Sequence, residues 1–157
     1  MRLYLVRHAK AGSRRDFDGD DRDRPLSRAG REQAHGLTLV LGHLPISRIY
    51  SSPYVRCLQS VEPLAKKLGL DIRVTEALAE DEGSGIPDFS EAIALVHKAP
   101  SNSVLCSHGD VIPAVLGALT REGLVIKGDH DMRKGVTWVL EGKGGQWRRA
   151  KAIPPQV

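Results

Sequence analysis

Two apolar runs, Leu-Tyr-Leu-Val at residues 3–6 and Val-Leu-Cys at 104–106, end alike: Arg7-His8-Ala9 follows the first and Ser107-His108-Gly109 the second. Short continuous apolar runs suit strands buried on both faces, and such strands occur in parallel sheets covered by helices. A polar residue at the carboxyl end of a strand in an open α/β sheet stands where such sheets bind ligands. The two matched steps therefore constrain both the architecture and the place to look for chemistry.

The remaining chain reads as strands alternating with helices. Residues 25–42 read as a helix with Ser27 as N-cap, Leu37, Leu41 and Leu44 on one face, and Gly42 and Pro45 as stop signals. A strand at 47–52 leads to a helix at 52–69, with Ser52 as cap, Pro53 at the first helical position and Pro63 expected to kink or split it. A strand is expected over 71–78, an acidic glycine-containing loop over 79–88, and a helix over 89–99 with Ile93 and Val96 inward. The second apolar run then opens a helix near Gly109, and residues 135–153 form two strands around a Gly-Lys-Gly-Gly turn. The expected fold is a three-layer α/β/α sandwich with a mostly parallel sheet and an antiparallel edge late in the chain.

At 157 residues the chain suits a single domain, 1–157, with one sizeable core. A net charge of +4 favours anionic partners. Aromatic residues make up only 4%, too few for a base-stacking surface, and Trp138 and Trp147 lie on late strands, so nucleic acid is not expected as a partner. The first apolar run stops at Val6, and no stretch approaches the roughly 20 residues of a membrane span, so a cytoplasmic protein without membrane contact is expected. Cys57 and Cys106 lack the spacing of a metal knuckle or redox pair and suit a reducing compartment. Neither a metal nor an organic cofactor is implied.

Either histidine alone would read as structural; together, at two strand ends, they suggest a site. Arg56 falls in the first turn of the second helix, close to the same sheet edge. Arg7, Arg56, His8, His108 and the backbone of Gly109 make a phosphate pocket, because arginine forks match phosphate oxygens and helix amino termini favour anions. Other phosphatase and nucleotide motifs fail at named positions. A cysteine nucleophile would need arginine six residues on, where Ile112 and Pro63 stand, and an EF-hand starting at Asp16 would need glycine and glutamate where Asp21 and Ser27 stand.

The stretches LVRHAKAG, PLSRAGREQA, SSPYVRCLQSVEPLA and VLCSHGDVI, in that order between Met1 and about Leu119, resemble the histidine phosphatase superfamily, the phosphoglycerate mutase-like fold. Within it the chain resembles the compact bacterial phosphohistidine-phosphatase-like branch. GDDRDRPLSRAGREQA and RKGVTWVLE are also similar to the phosphatase-like half of two-domain actinobacterial Nudix hydrolases. The resemblance implies that neutral His8 attacks phosphorus to form a phosphohistidine, that Arg7, Arg56 and His108 hold the nonbridging oxygens, and that Glu80 protonates the leaving group, with Asp81 and Glu82 as rivals. No residue in the sequence stands out as the partner that sets the His8 tautomer.

Three readings follow. The first is a metal-independent phosphatase, a phosphoric monoester hydrolase acting on phosphorylated small molecules such as nucleotides. The second is a protein phosphohistidine phosphatase acting on a phosphoprotein, and the third a non-catalytic phospholigand-binding module. Lys10 is expected to bind substrate, and Arg14, Arg15, Arg133 and Lys134 either ring the mouth and favour a substrate with more than one phosphate or a phosphoprotein's acidic face, or are ordinary surface charges.

Overall fold

A computed structural model describes residues 1–156, and the last residue, 157, lies outside this description. Among the described residues, one seven-stranded sheet runs in the order β3-β2-β4-β1-β6-β7-β5. Its strands are β1 (Arg2–Arg7), β2 (Arg48–Ser51), β3 (Ile72–Val74), β4 (Ser103–Ser107), β5 (Val125–Lys127), β6 (Thr137–Lys143) and β7 (Gln146–Ile153). The helices are α1 (Arg28–Leu41), α2 (Val55–Leu68), α3 (Ser90–Lys98) and α4 (Val111–Arg121). β1 pairs in parallel with β4, β4 with β2, and β2 with β3. The antiparallel section is carried by β6, which lies inside the sheet between β1 and β7; the outermost strand on that side, β5, is parallel to β7.

The two-residue period of the central strands divides the core. Tyr4 and Val6 of β1, with Val104 and Cys106 of β4, pack under Leu37 and Leu41 of α1 and Cys57, Val61 and Leu64 of α2. Leu3, Leu5 and Leu105 face the other way, against Ala92 and Val96 of α3, Ile112, Val115 and Leu116 of α4, and Trp138 of β6. The chain thus leaves β1 over one face of the sheet and leaves β4 over the other. Their adjacent carboxyl ends form a topological switch point, where the departing segments leave a crevice.

Several local expectations shift for identifiable reasons. Ser27 caps α1 as its side chain accepts from Gly30 N, a bond of the kind that contributes about 1 kcal/mol. The second helix begins at Val55, with Tyr54 at its N-cap, and the Ser52 hydroxyl both accepts from Tyr54 N at 3.3 Å and meets His108 Nε2. Pro63 lies inside an uninterrupted α2. The lost backbone bond is outweighed by burial of Val61 and Leu64 on either side of it. The third strand is only three residues long and passes into a 3-10 turn at Glu76–Leu78, which Thr75 caps by accepting from Ala77 N. Ile93 is only partly buried, while Ala92 and Val96 face the core. The late hairpin turns at Gly144 and Gly145, whose φ values of 63° and 76° suit a two-residue turn between twisted strands.

No helix among the described residues is long and apolar enough to cross a membrane.

Candidate active site

β1 ends at Arg7, and the next residue is locked across the switch point as His8 N donates to Ser107 O at 3.0 Å. The exit from β1 is tied to α2 by Ala9 N donating to Ser60 Oγ at 2.8 Å, while Ser60 Oγ donates to Arg56 O. His8, Arg56 and His108 are all buried. The His8 and His108 rings meet edge to face with centroids 5.3 Å apart. Both histidines, with Arg7, Arg56, Gly109, Arg14, Arg24, Glu80, Asp110 and Lys134, line one open cavity of about 430 Å³.

The tautomer of His8 follows from a backbone group. Its Nδ1 lies 2.8 Å from Ala9 O, and a carbonyl only accepts, so Nδ1 carries the proton and Nε2 keeps its lone pair. Burial, joined by the positive charge of His108, Arg56 and Arg7, lowers the His8 pKa to about 3 against the weaker opposing pull of Ala9 O. The imidazole is therefore neutral and nucleophilic at neutral pH.

His108 is the electrostatic opposite. Burial disfavours its charged form, but contacts with Cys57 and the Glu80 carboxylate outweigh this and lift its pKa to about 9. Its Nε2 is 2.8 Å from Ser52 Oγ. Its Nδ1 is 2.9 Å from Glu80 Oε1, close enough for an ion pair yet without an aligned hydrogen bond. Tyr54 packs edge-on against this ring, with centroids 4.7 Å apart.

Glu80 is placed by its loop. Ser107 Oγ donates to Leu78 O at 2.6 Å, and Asp81 N donates to Asp110 Oδ2 at 2.9 Å. Its Oε1 accepts from Arg56 Nη2 at 2.6 Å, and Oε2 lies 3.4 Å from Arg14 Nη2. The contact with His108, followed by that with Arg56, overcomes burial and holds its pKa at about 2. Glu80 is thus an ionised internal anion among the cations of the cavity. Replacing it with Gln removes a competing negative charge, so the inhibition constant for inorganic phosphate is expected to fall about tenfold, measured as product inhibition of aryl phosphate turnover.

Sequence reading gave Asp21 no site role. Its carbonyl accepts from Arg56 Nη1 at 2.8 Å, and its carboxylate lies 3.1 Å from Arg56 Nη2 and 2.9 Å from Arg24 Nε. Ser52, Tyr54 and Arg24 were also missed as site residues. The one available signal was the dense run of charge at 20–24 just before the first helix.

Lys10 requires a correction. It is exposed and does not line the cavity. Its carbonyl accepts from Ser27 N at 3.0 Å, its amide donates to Gln33 Oε1, and a Cβ on Gly30 would overlap that carbonyl. Lys10 thus serves as a docking point for α1, while Lys134 supplies the lysine at the cavity.

Gly109 is needed for space. A Cβ there would stand 2.7 Å from the Arg7 guanidinium, which is anchored by Nη1 donating to Met132 O. Gly109→Ala is expected to swing Arg7 aside and lower kcat/KM for an aryl phosphate about tenfold, with the melting temperature nearly unchanged because the displaced group borders open space.

Three donor groups in this region are buried without an aligned partner: Arg7 Nε, Arg56 Nε and His108 Nδ1. Buried donors normally find acceptors, and all three residues line the same cavity, which gives that cavity the chemistry of an oxyanion site. Residues 3–85 match the Histidine phosphatase superfamily (branch 1). The chain belongs to the histidine phosphatase superfamily.

Among curated relatives, the 8-oxo-(d)GTP phosphatase of Mycolicibacterium smegmatis (strain ATCC 700084 / mc(2)155) is 35% identical over 164 residues, covering 98% of this chain and 48% of that protein. The chain therefore spans about half the length of that relative. Similar solved structures include the protein histidine phosphatase SixA complexed with tungstate, at TM-score 0.75 and 17% identity, covering 99% of this chain and 97% of that one. A mycobacterial glucosyl-3-phosphoglycerate phosphatase complexed with VO3 superimposes at TM-score 0.68 and 21% identity, covering 94% and 96%. These two likenesses establish the superfamily's fold for this chain.

Proposed function

We propose that the chain is a phosphatase that hydrolyses phosphorylated small molecules, nucleotides among them, through a phosphohistidine on His8. The observation that carries this reading is the pair of unpartnered guanidinium donors, Arg7 Nε and Arg56 Nε, lining one cavity with the His108 ring, beside an imidazole kept neutral with its Nε2 lone pair free. In this reading His8 Nε2 attacks phosphorus, and the P–O bond to the leaving group breaks with its electron pair going to the leaving oxygen. The two guanidinium groups and the His108 imidazolium hold the three nonbridging oxygens in place before and during transfer. Such preorganised charge is the main requirement of phosphoryl transfer. Water then cleaves the N–P bond, releasing phosphate and restoring neutral His8.

The name of the M. smegmatis relative supports a nucleotide among the substrates. A second reading, dephosphorylation of protein phosphohistidine, draws on the ionised state of Glu80, since a phosphoramidate protonated on its ring departs without a separate acid.

The experiment is phosphate release from a panel of nucleoside phosphates, sugar phosphates, an aryl phosphate and a phosphohistidine peptide, with intact-mass detection of an acid-labile adduct. Turnover of small molecules with such an adduct supports the first reading. Release from the phosphopeptide alone favours the second, and no release from any compound removes the enzymatic reading.

A further inference from the structure

Five basic residues were candidates for the cavity mouth on sequence, and the structure separates them. Lys10 and Arg15 are not among the residues lining the cavity. Arg133 is also outside it and is held by Asp131 through two hydrogen bonds from Nε and Nη2. Arg14 and Lys134 do line it. Arg14 makes only long contacts, 3.4 Å to both Asp21 and Glu80, and is mostly exposed. Among the described residues, Lys134, like the other lysines, has no ion-pair partner within 4.0 Å, and it is the lysine that lines the cavity.

Its position is built. Buried Gln33 of α1 spans two turns, accepting from Lys10 N and donating to Lys134 O at 3.4 Å. Gly135, at φ 90°, packs its Cα side against the Gln33 amide and donates to Arg7 O and His8 O. The turn that carries Lys134 is therefore fastened to the nucleophile's own backbone. Lys134 is exposed at the cavity wall; partial desolvation there, followed by repulsion from Arg7, Arg24, Arg56 and Arg14, lowers the pKa of its ammonium.

One phosphoryl group satisfies Arg7, Arg56 and His108 but leaves Lys134 unmatched. We propose that Lys134, assisted by Arg14, forms a second anion subsite, so that the preferred substrate presents the terminal phosphate of a diphosphate or longer phosphoanhydride chain. This deepens the phosphatase reading and rests on it.

The neighbouring cavity supports the direction of the chain. It is lined by Asp20, Asp21, Asp81 and Glu82, besides Arg14, Arg22 and Tyr54, and this predominance of carboxylates repels a second phosphate. The chain then runs toward Lys134, with Asp110 the carboxylate to avoid. The chemistry also fits. When His8 Nε2 bonds to the terminal phosphorus, the bridging P–O bond breaks and its electrons remain on the penultimate phosphate. That group leaves as a stable anion without taking a proton, which suits a site whose nearest carboxyl group, Glu80, is already ionised.

The test compares calorimetric binding of methylenediphosphonate and methylphosphonate, two non-hydrolysable probes that differ by one phosphonate. Wild type is expected to bind the diphosphonate at least tenfold more tightly. Lys134→Ala should bring that ratio to about threefold or less, Lys134→Arg should preserve it, and Arg133→Ala, outside the cavity, should also preserve it. A wild type without preference, or a Lys134→Ala variant that keeps it, overturns the subsite. Aryl phosphate hydrolysis by wild type is scored separately: a Lys134-dependent preference with no hydrolysis keeps the subsite and removes the phosphatase reading.

Discussion

His8→Ala is expected to lower phosphate release by at least about 10⁴-fold and to eliminate the acid-labile adduct, with the circular dichroism spectrum unchanged. The size follows from removing a covalent nucleophile while leaving charge stabilisation in place, a loss that the remaining groups recover only in small part. The fold should survive because His8 is held chiefly through its backbone, by Ser107 O and Gly135 N, which alanine keeps. Turnover retained within tenfold would assign the attack to another group.

The pH profile of wild type tests the same arrangement. His8 must be neutral, and its pKa of about 3 keeps it so until the solution is strongly acidic. His108 must be charged, and its pKa of about 9 keeps it so until the solution is alkaline. The sign is therefore a loss of kcat as pH rises through about 9 and no histidine limb between pH 5 and 8. A decline in kcat as pH falls below about 6.5 would show that His8 titrates as an ordinary imidazole.

Much of this arrangement could be read from local pattern. Arg7, His8 and His108 follow apolar runs, and a strand end in a parallel sheet has a defined place; Arg56 sits one turn into a helix that follows another such strand. Groups without a local signature escaped. Ala9 O sets the His8 tautomer, but every residue has a carbonyl, so no side chain marks it. Asp21 reaches Arg56 across 35 positions from a loop whose composition is that of solvated surface. Lys10 was favoured over Lys134 because it is two residues from His8 in the chain. Its exposed side chain does not line the cavity, whereas the turn before β6 brings Lys134 in. Pro63 shows the same limit at the level of fold, since a breaker's cost is local and the packing that outweighs it is not.

Arg56→Lys keeps the charge, yet it is expected to lower kcat/KM by about 10²–10³-fold. Arg56 is 1% exposed, and its fork is already divided: Nη1 serves Asp21 O, Nη2 serves Asp21 Oδ2 and Glu80 Oε1, and Nε, which has no partner, is the donor the proposed mechanism gives to the phosphoryl group. A lysine ammonium cannot hold the loop and present a fixed donor to the oxyanion at once, because it lacks the planar fork. Arg56→Ala removes the charge as well and takes one partner from Asp21 and Glu80, which keep Arg24 and His108 respectively. Both carboxylates keep partial access to water, so the stability loss should stay at or below about 3 kcal/mol while activity falls at least about 10³-fold. Denaturant unfolding and steady-state kinetics on both variants separate the two effects. If Arg56→Lys instead matches wild type in kcat/KM, the fork is structural only, and the oxyanion must be held by Arg7 and His108 alone.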